Sequence, residues 1–145
     1  MNKVTVDDSK VQNLFRALDS DSRKRILFAA LKEGGNKLAE NTKIQLRNKL
    51  GSGATSPNRW NGKTMESGIK VKADKDYCEV DVSVMGDFRL KFFEKGTVLR
   101  QTKKKANRGS IRALYFFQAA RNKSDEITGI INSSISESLK RISAE

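Results

Sequence analysis

The chain has no histidine and only one residue each of cysteine, proline and tryptophan. Without imidazole it lacks the commonest metal ligand and the usual acid-base group near neutral pH, which sets aside zinc sites and histidine catalysis. Cys78 has no second cysteine to pair with, so no internal disulfide can form. No apolar run reaches the roughly 18 residues of a membrane-spanning helix. The opening stretch Met1-Asn2-Lys3-Val4-Thr5-Val6-Asp7-Asp8 also lacks the apolar core of a signal peptide. The expected home is a cytoplasm, unless another particle carries the protein out. Acid is missing locally as well. From Lys95 to Arg112 there are seven basic residues, Lys95, Arg100, Lys103, Lys104, Lys105, Arg108 and Arg112, and no Asp or Glu. Such a stretch repels itself when free and is suited to meeting something negative.

Lysine and arginine total 29 against 17 aspartates and glutamates, a net charge of +12. That balance favours polyanionic partners, either nucleic acid or an acidic protein surface. A length of 145 residues suits a single domain over 1–145. A chain of that size buries roughly 68% of the surface it exposes when unfolded, so neither metal nor disulfide is needed to hold it together. Mobile loops are expected at about 51–63 and 98–109.

Hydrophobic periodicity outlines the elements. Lys3 to Val6 alternate polar and apolar and permit a short edge strand; Asp8-Ser9 offers N-cap chemistry for a short helix with Val11, Leu14, Phe15 and Leu18 on one face. Asp19-Ser20-Asp21-Ser22 is a second helix start. Beyond it Leu27, Leu31, Leu38, Thr42, Leu46 and Leu50 recur near helical spacing, with Ile26, Ala30, Ala39 and Ile44 widening the stripe. Gly34-Gly35 falls inside this pattern, where each glycine costs about 1 kcal/mol relative to alanine. Two readings stand: a close helix crossing or hinge, or a kink or break into two helices. Residues 51–62 are loop by composition and hold the only proline and the only tryptophan. Trp60 there is either a candidate subunit interface or an aromatic folded back onto its own core.

A sheet is expected next. Ile69 and Val71 alternate with lysines; Cys78, Val80, Val82 and Val84 alternate with Glu79, Asp81 and Ser83; Phe88, Leu90 and Phe92 alternate with Arg89 and Lys91. The polar faces read basic, acidic, basic, so an antiparallel meander sets opposite charges side by side. Ser110 is expected to cap a short helix through Arg121. Ser124 is expected to cap a longer one with Ile127, Ile130, Ile131, Ile135, Leu139 and Ile142 as its stripe. The expected fold class is α+β, a small antiparallel three- to four-stranded sheet packed by two long amphipathic helices.

Catalytic chemistry finds little to work with. Gly51-Ser52-Gly53 lacks the Lys-Ser/Thr of a phosphate loop and follows no strand. Cys78 reads as a buried small hydrophobe. Glu79, Asp81 and Glu94 are the carboxylates that a two-metal nuclease would cluster, but Glu79 and Asp81 already balance basic residues across the sheet. The expectation is no enzyme, no metal and no cofactor. Binding remains, with Arg100, Lys103, Lys104, Lys105, Arg108 and Arg112 as the contact residues; the bland alternative is a solvated loop. Thr97 to Ile111 has no aromatic for stacking, which disfavours single-strand recognition.

Three stretches, Thr64-Met65-Glu66-Ser67-Gly68-Ile69, Phe93-Glu94-Lys95-Gly96-Thr97 and Tyr115-Phe116-Phe117-Gln118-Ala119-Ala120, carry a family likeness in their order and spacing. Together with the flanking amphipathic helices they make nearly the whole chain resemble the tail-completion, or head-tail joining, proteins of long-tailed phages. The Arg-Pro-Phe entry usual in that family is replaced here by Arg112 set apart from Phe116 with no proline. The Glu-x-Gly-Thr turn, Glu94, Gly96 and Thr97, reads as a structural corner that positions the basic loop. The resemblance implies a non-enzymatic virion protein, present in the host cytoplasm during assembly. It also implies a ring, six-fold in the family, between head-completion and tail-terminator proteins, with genomic DNA passing through. The alternative is a sequence-nonspecific nucleic-acid-binding accessory protein, which rests on charge alone.

Overall fold

Asp19 opens the longest element. Its carboxylate accepts a hydrogen bond from the Ser22 N–H at 2.7 Å, satisfying one of the free donors of a helix start. In the computed structural model, which describes residues 9–97, 100–101 and 107–143, helix α2 then runs unbroken over Ser20–Leu50. A shorter helix, α1 (Ser9–Ala17), precedes it. After α2 come 3-10 turns at Gly51–Ala54 and Glu66–Gly68, the hairpin β1 (Lys70–Asp74) and β2 (Glu79–Ser83), and helix α3 (Phe88–Lys95). Strands β3 (Arg100–Gln101) and β4 (Asn107–Gly109) follow, then helices α4 (Phe116–Arg121) and α5 (Ser124–Ser143). The class is α+β. The edge strand expected at Lys3 to Val6 lies outside the described residues.

Gly34-Gly35 marks a close crossing, not a break. A Cβ on Gly34 would stand 2.6 Å from Ile131 Cγ1 of α5, and one on Gly35 would stand 2.5 Å from Val80 Cγ1 of β2. Consecutive helix positions point about 100° apart, so the pair lets α5 press on one side of α2 and the hairpin on the other. The cost of two glycines in a helix is offset by this double contact. The buried line of α2 is Ile26, Ala30, Gly34, Ala39, Thr42 and Leu46, while Leu27 and Ile44, counted in the expected stripe, are 36% and 39% exposed. Lys37 reaches Glu126 at 3.8 Å where α5 begins, and Leu139 near its far end is 2% exposed.

The third expected strand is a helix. Phe88, Leu90 and Phe92 alternate in sequence, yet Leu90, Phe93 and Glu94 also follow helical spacing, and it is these three that turn inward. Asp87 decides between the two patterns by capping α3, its carboxylate accepting from the Arg89 N–H at 3.0 Å. Phe88 and Phe92, one turn apart, then lie together outside, their rings edge to face at 6.2 Å. Among the described residues there are two separate two-stranded antiparallel sheets, in place of one meander of three to four strands. In the first, Lys72 stands opposite Asp81 as the charge pattern anticipated, but Asp74 stands opposite Glu79. Cys78 is outside β2, half-buried in the turn at φ 52, with its Sγ 3.8 Å from the Lys24 carbonyl.

The core lies where the C-terminal half of α2, the hairpin, α3 and α4 meet. Ala39, Leu46, Ala54, Met65, Ile69, Leu90 and Phe116 form it, closed over by Val71, Val82, Phe93 and Leu114. Arg47 fixes the return of the chain by a two-pronged ion pair to Glu66, Nε to Oε2 at 2.6 Å and Nη2 to Oε1 at 2.9 Å. Substituting Gly34→Val drives a side chain into Ile131, and urea unfolding is expected to report a loss of about 1–3 kcal/mol. Gly129→Ala on α5, where no atom lies within 4 Å, is the control and is expected to stabilise by about 0.5–1 kcal/mol.

Candidate interaction site

The basic stretch leaves from the end of α3 and returns to the start of α4, and the chemistry of its base is local and specific. Asp87 holds α3 from the front, accepting the Arg89 guanidinium at 3.0 and 2.7 Å as well as the backbone N–H. The Arg89 hydrogen bond keeps the Asp87 carboxyl below its ordinary range and raises Arg89 in turn. Two turns later Glu94 faces inward, 8% exposed. Its Oε2 accepts the Phe117 N–H at 2.8 Å and its Oε1 the Gln118 N–H at 3.0 Å. These are first-turn donors of α4, whose own N-cap, Tyr115, has φ 52 and supplies no side-chain cap. A carboxylate from more than 20 residues upstream therefore caps the helix.

Gly96 and Thr97 complete the base. Gly96 has φ 74, and its N–H donates to the Phe92 carbonyl at 2.7 Å as the C-cap of α3. A Cβ there would meet Ala113 N at 2.8 Å and Ile111 O at 2.9 Å, so the outgoing and returning chains touch through glycine. Thr97 N–H donates to the Ile111 carbonyl at 2.9 Å, and Ile111 N–H donates back to Thr97 Oγ1 at 2.8 Å. Leu114 N–H donates to the Phe93 carbonyl at 2.7 Å, and Lys49 Nζ reaches the Leu114 carbonyl at 2.6 Å from α2. The segment before α4 is thus extended and latched, which corrects the expectation of a helix running from a Ser110 cap. Beyond the latch, β3 and β4 pair antiparallel, with Arg100 opposite Gly109 and Gln101 opposite Asn107.

Of the residues singled out in the sequence, Glu94, Gly96 and Thr97 come together in this base, and Arg112 sits exposed beside it. Arg100 and Arg108 belong to the paired strands β3 and β4. Lys103, Lys104 and Lys105 lie outside the described residues. Trp60 is elsewhere, and it is 95% exposed, so the reading in which it folds onto its own core does not hold. Glu79 and Asp81 stay on the exposed face of the hairpin while Glu94 is occupied with backbone donors. Among the described residues no group of three or more potential metal ligands gathers. Sequence reasoning missed the exposed aromatics Phe88, Phe92 and Tyr115, of which Phe88 is 73% exposed. The i, i+4 spacing of the two phenylalanines was the available signal. No protein-family model, curated protein or solved structure matches the chain.

Removing the cap should separate the two ends of the base. Glu94→Ala orphans two buried donors, each costing about 1–3 kcal/mol, and is expected to speed amide exchange at Phe117 and Gln118; Glu94→Gln keeps an acceptor and is expected to fall between. A second expectation concerns acid. Asp87 and Glu66 both have folded-state pKa values below the ordinary ones, Asp87 through Arg89 and Glu66 through its hydrogen bond from Arg47. Their contribution is therefore complete above the ordinary carboxylate range near about pH 4 and is lost as pH falls through the lower folded values. Unfolding midpoints followed from neutral pH into acid should drop less steeply in Asp87→Asn than in the parent chain.

Proposed function

We propose that this chain is a structural subunit of a phage neck, joining tail to head by assembling with copies of itself into a ring around the DNA channel. The observation that carries the reading is the closed base of the basic arm. Glu94, Gly96 and Thr97 tie α3 to Ile111 and to the start of α4, and beyond that tie β3 and β4 pair antiparallel. An acid-free arm with a fixed root is suited to aiming charge at a particular surface, which a loose polybasic tail is not. The likeness of Phe93 to Thr97 and Tyr115 to Ala120 to head-tail joining proteins supplies the assembly, with six copies per ring and head-completion and tail-terminator proteins as neighbours. A ring needs two different matched surfaces on each subunit. Arg100, Lys103, Lys104, Lys105, Arg108 and Arg112 face either the genomic DNA or an acidic neighbouring ring.

In this reading the protein acts in the virion and is held in the host cytoplasm until assembly. It performs no catalytic step and takes no cofactor. No helix among the described residues is long and apolar enough to cross a membrane. The net charge of +12 also supports a second reading, a sequence-nonspecific nucleic-acid-binding accessory protein. The two separate on simple measurements. Mixed with tail tubes and heads, the protein is expected to join them into particles visible by electron microscopy, and replacing Lys103, Lys104 and Lys105 with glutamate is expected to block joining. A chain that attaches to neither tubes nor heads sinks the neck reading. Strong, salt-sensitive retention of DNA by the isolated monomer, lost in the same triple variant, favours the accessory protein.

A further inference from the structure

The basic arm carries no aromatic, but the helix at its root does. Helix α3 turns Leu90, Phe93 and Glu94 inward, and the positions left outside are Phe88, Lys91, Phe92 and Lys95. These fall at i, i+3, i+4 and i+7, which is one face of a helix. All four are exposed, Phe88 at 73%. The Phe88 and Phe92 rings stand edge to face with centroids 6.2 Å apart, so they make one aromatic ledge on the lysine-bearing face. The returning chain runs beside the end of this helix. Tyr115, 51% exposed, donates its N–H to the Glu94 carbonyl at 3.3 Å, and the exposed Arg112 precedes Ala113, whose backbone lies against Gly96.

The free charge of this stretch has one sign. Between Asp81 and Asp125 the sequence holds two carboxylates, Asp87 and Glu94. Asp87 is taken by the guanidinium and N–H of Arg89, and Glu94 by the Phe117 and Gln118 N–H groups. Glu66, on the turn that meets the start of α3 through Gly68, is held by Arg47. Lys91, Lys95 and Arg112, in contrast, form no ion pair among the described residues. The cation–ring contacts there are Lys32 on Phe28 and Arg121 on Phe117, so the rings and cations of the α3 face are left to meet something outside. A duplex would answer the lysines, but its bases stack on one another and would leave the rings in water. An acidic protein surface likewise answers the charge without calling for rings. An unpaired strand offers both, one phosphate and one open base face per nucleotide, and α3 repeats ring and cation once per turn of about 5.4 Å.

We infer that the outer face of α3 binds a single-stranded nucleic acid, its bases stacking on Phe88 and Phe92 and its phosphates meeting Lys91 and Lys95. Arg112 and Tyr115 carry the path from this ledge toward the arm. The arm attracts single strands and duplexes alike, so it adds affinity without preference, and the ledge adds the preference. The inference goes beyond both readings above: it needs neither a ring nor a neck, and it names a strand form and a site that net charge does not.

The test titrates the full chain into a fluorescent oligothymidylate of about 16 nucleotides, and into a duplex of the same length, and follows anisotropy. The parent is expected to hold the single strand about tenfold more tightly than the duplex at equal salt. Phe88→Leu with Phe92→Leu keeps the apolar bulk and removes the stacking faces; it is expected to melt as the parent does, to lose the single-strand preference and to leave duplex binding unchanged. Lys91→Gln with Lys95→Gln is expected to weaken strand binding and to flatten its dependence on salt. Ultraviolet crosslinking of a bromodeoxyuridine oligonucleotide to the parent chain should mark the peptide that contains Phe88 and Phe92. Equal affinity of the parent for strand and duplex, a preference that survives in the double leucine variant, or crosslinks confined to the arm overturns the inference. So does polyglutamate that displaces the strand from the parent as well as unlabelled oligothymidylate does, because the face then answers acid alone. The neck reading is judged separately, by the joining of tail tubes to heads. A chain that joins them without preferring single strands refutes the inference and leaves that reading standing, and one that prefers single strands without joining does the reverse.

Discussion

The Glu94 carboxylate is the interaction on which the geometry of the arm depends. A helix of six residues such as α4 is too short to stand by its own hydrogen bonds, and its N-cap residue, Tyr115, offers no side-chain acceptor. A carboxylate nearly removed from water, for its part, needs donors. Each requirement answers the other: Glu94 receives the Phe117 and Gln118 N–H groups, and α4 acquires a cap that belongs to α3. Placing Phe116 at full burial and Thr97 against Ile111 follows from the same clasp. The stretch of positive charge is thereby rooted at both ends in the core.

The rest of the molecule keeps that clasp in place. Helix α2 is a spine whose C-terminal half supplies Leu46 to the core and Lys49 to the Leu114 carbonyl, while its middle accepts α5 and the hairpin at Gly34 and Gly35. Interiors pack densely, so a methyl group added at either glycine must displace a neighbour. The ion pair between Arg47 and Glu66 brings the chain back from the loop at the end of α2, exposing Trp60 on one side and delivering Met65 to the core on the other.

Much of this was legible in the chain. Asp19 and Ser22 announced the start of α2, Ser124 and the stripe from Ile127 to Leu139 announced α5, and the alternation around Val71 and Val80 announced the hairpin. The turn at Glu94, Gly96 and Thr97 was found as a corner. What misled was a stretch satisfying two periods at once: Phe88 to Phe92 alternates as a strand would, but Leu90, Phe93 and Glu94 make an equally good helical face. Local pattern could not choose between them. Asp87 as a cap, and a core that had room for Leu90, did.

By itself the sequence determined the charge, the absence of histidine, the long helices and the existence of an acid-free segment, because composition and period are properties of the chain alone. Only the tertiary structure decided which donors Glu94 would meet and whether Gly34-Gly35 would break a helix or admit a neighbour. It also decided that Trp60 would face outward. These outcomes depend on contacts between residues far apart in sequence, whose energies are set by burial and distance that no local pattern encodes.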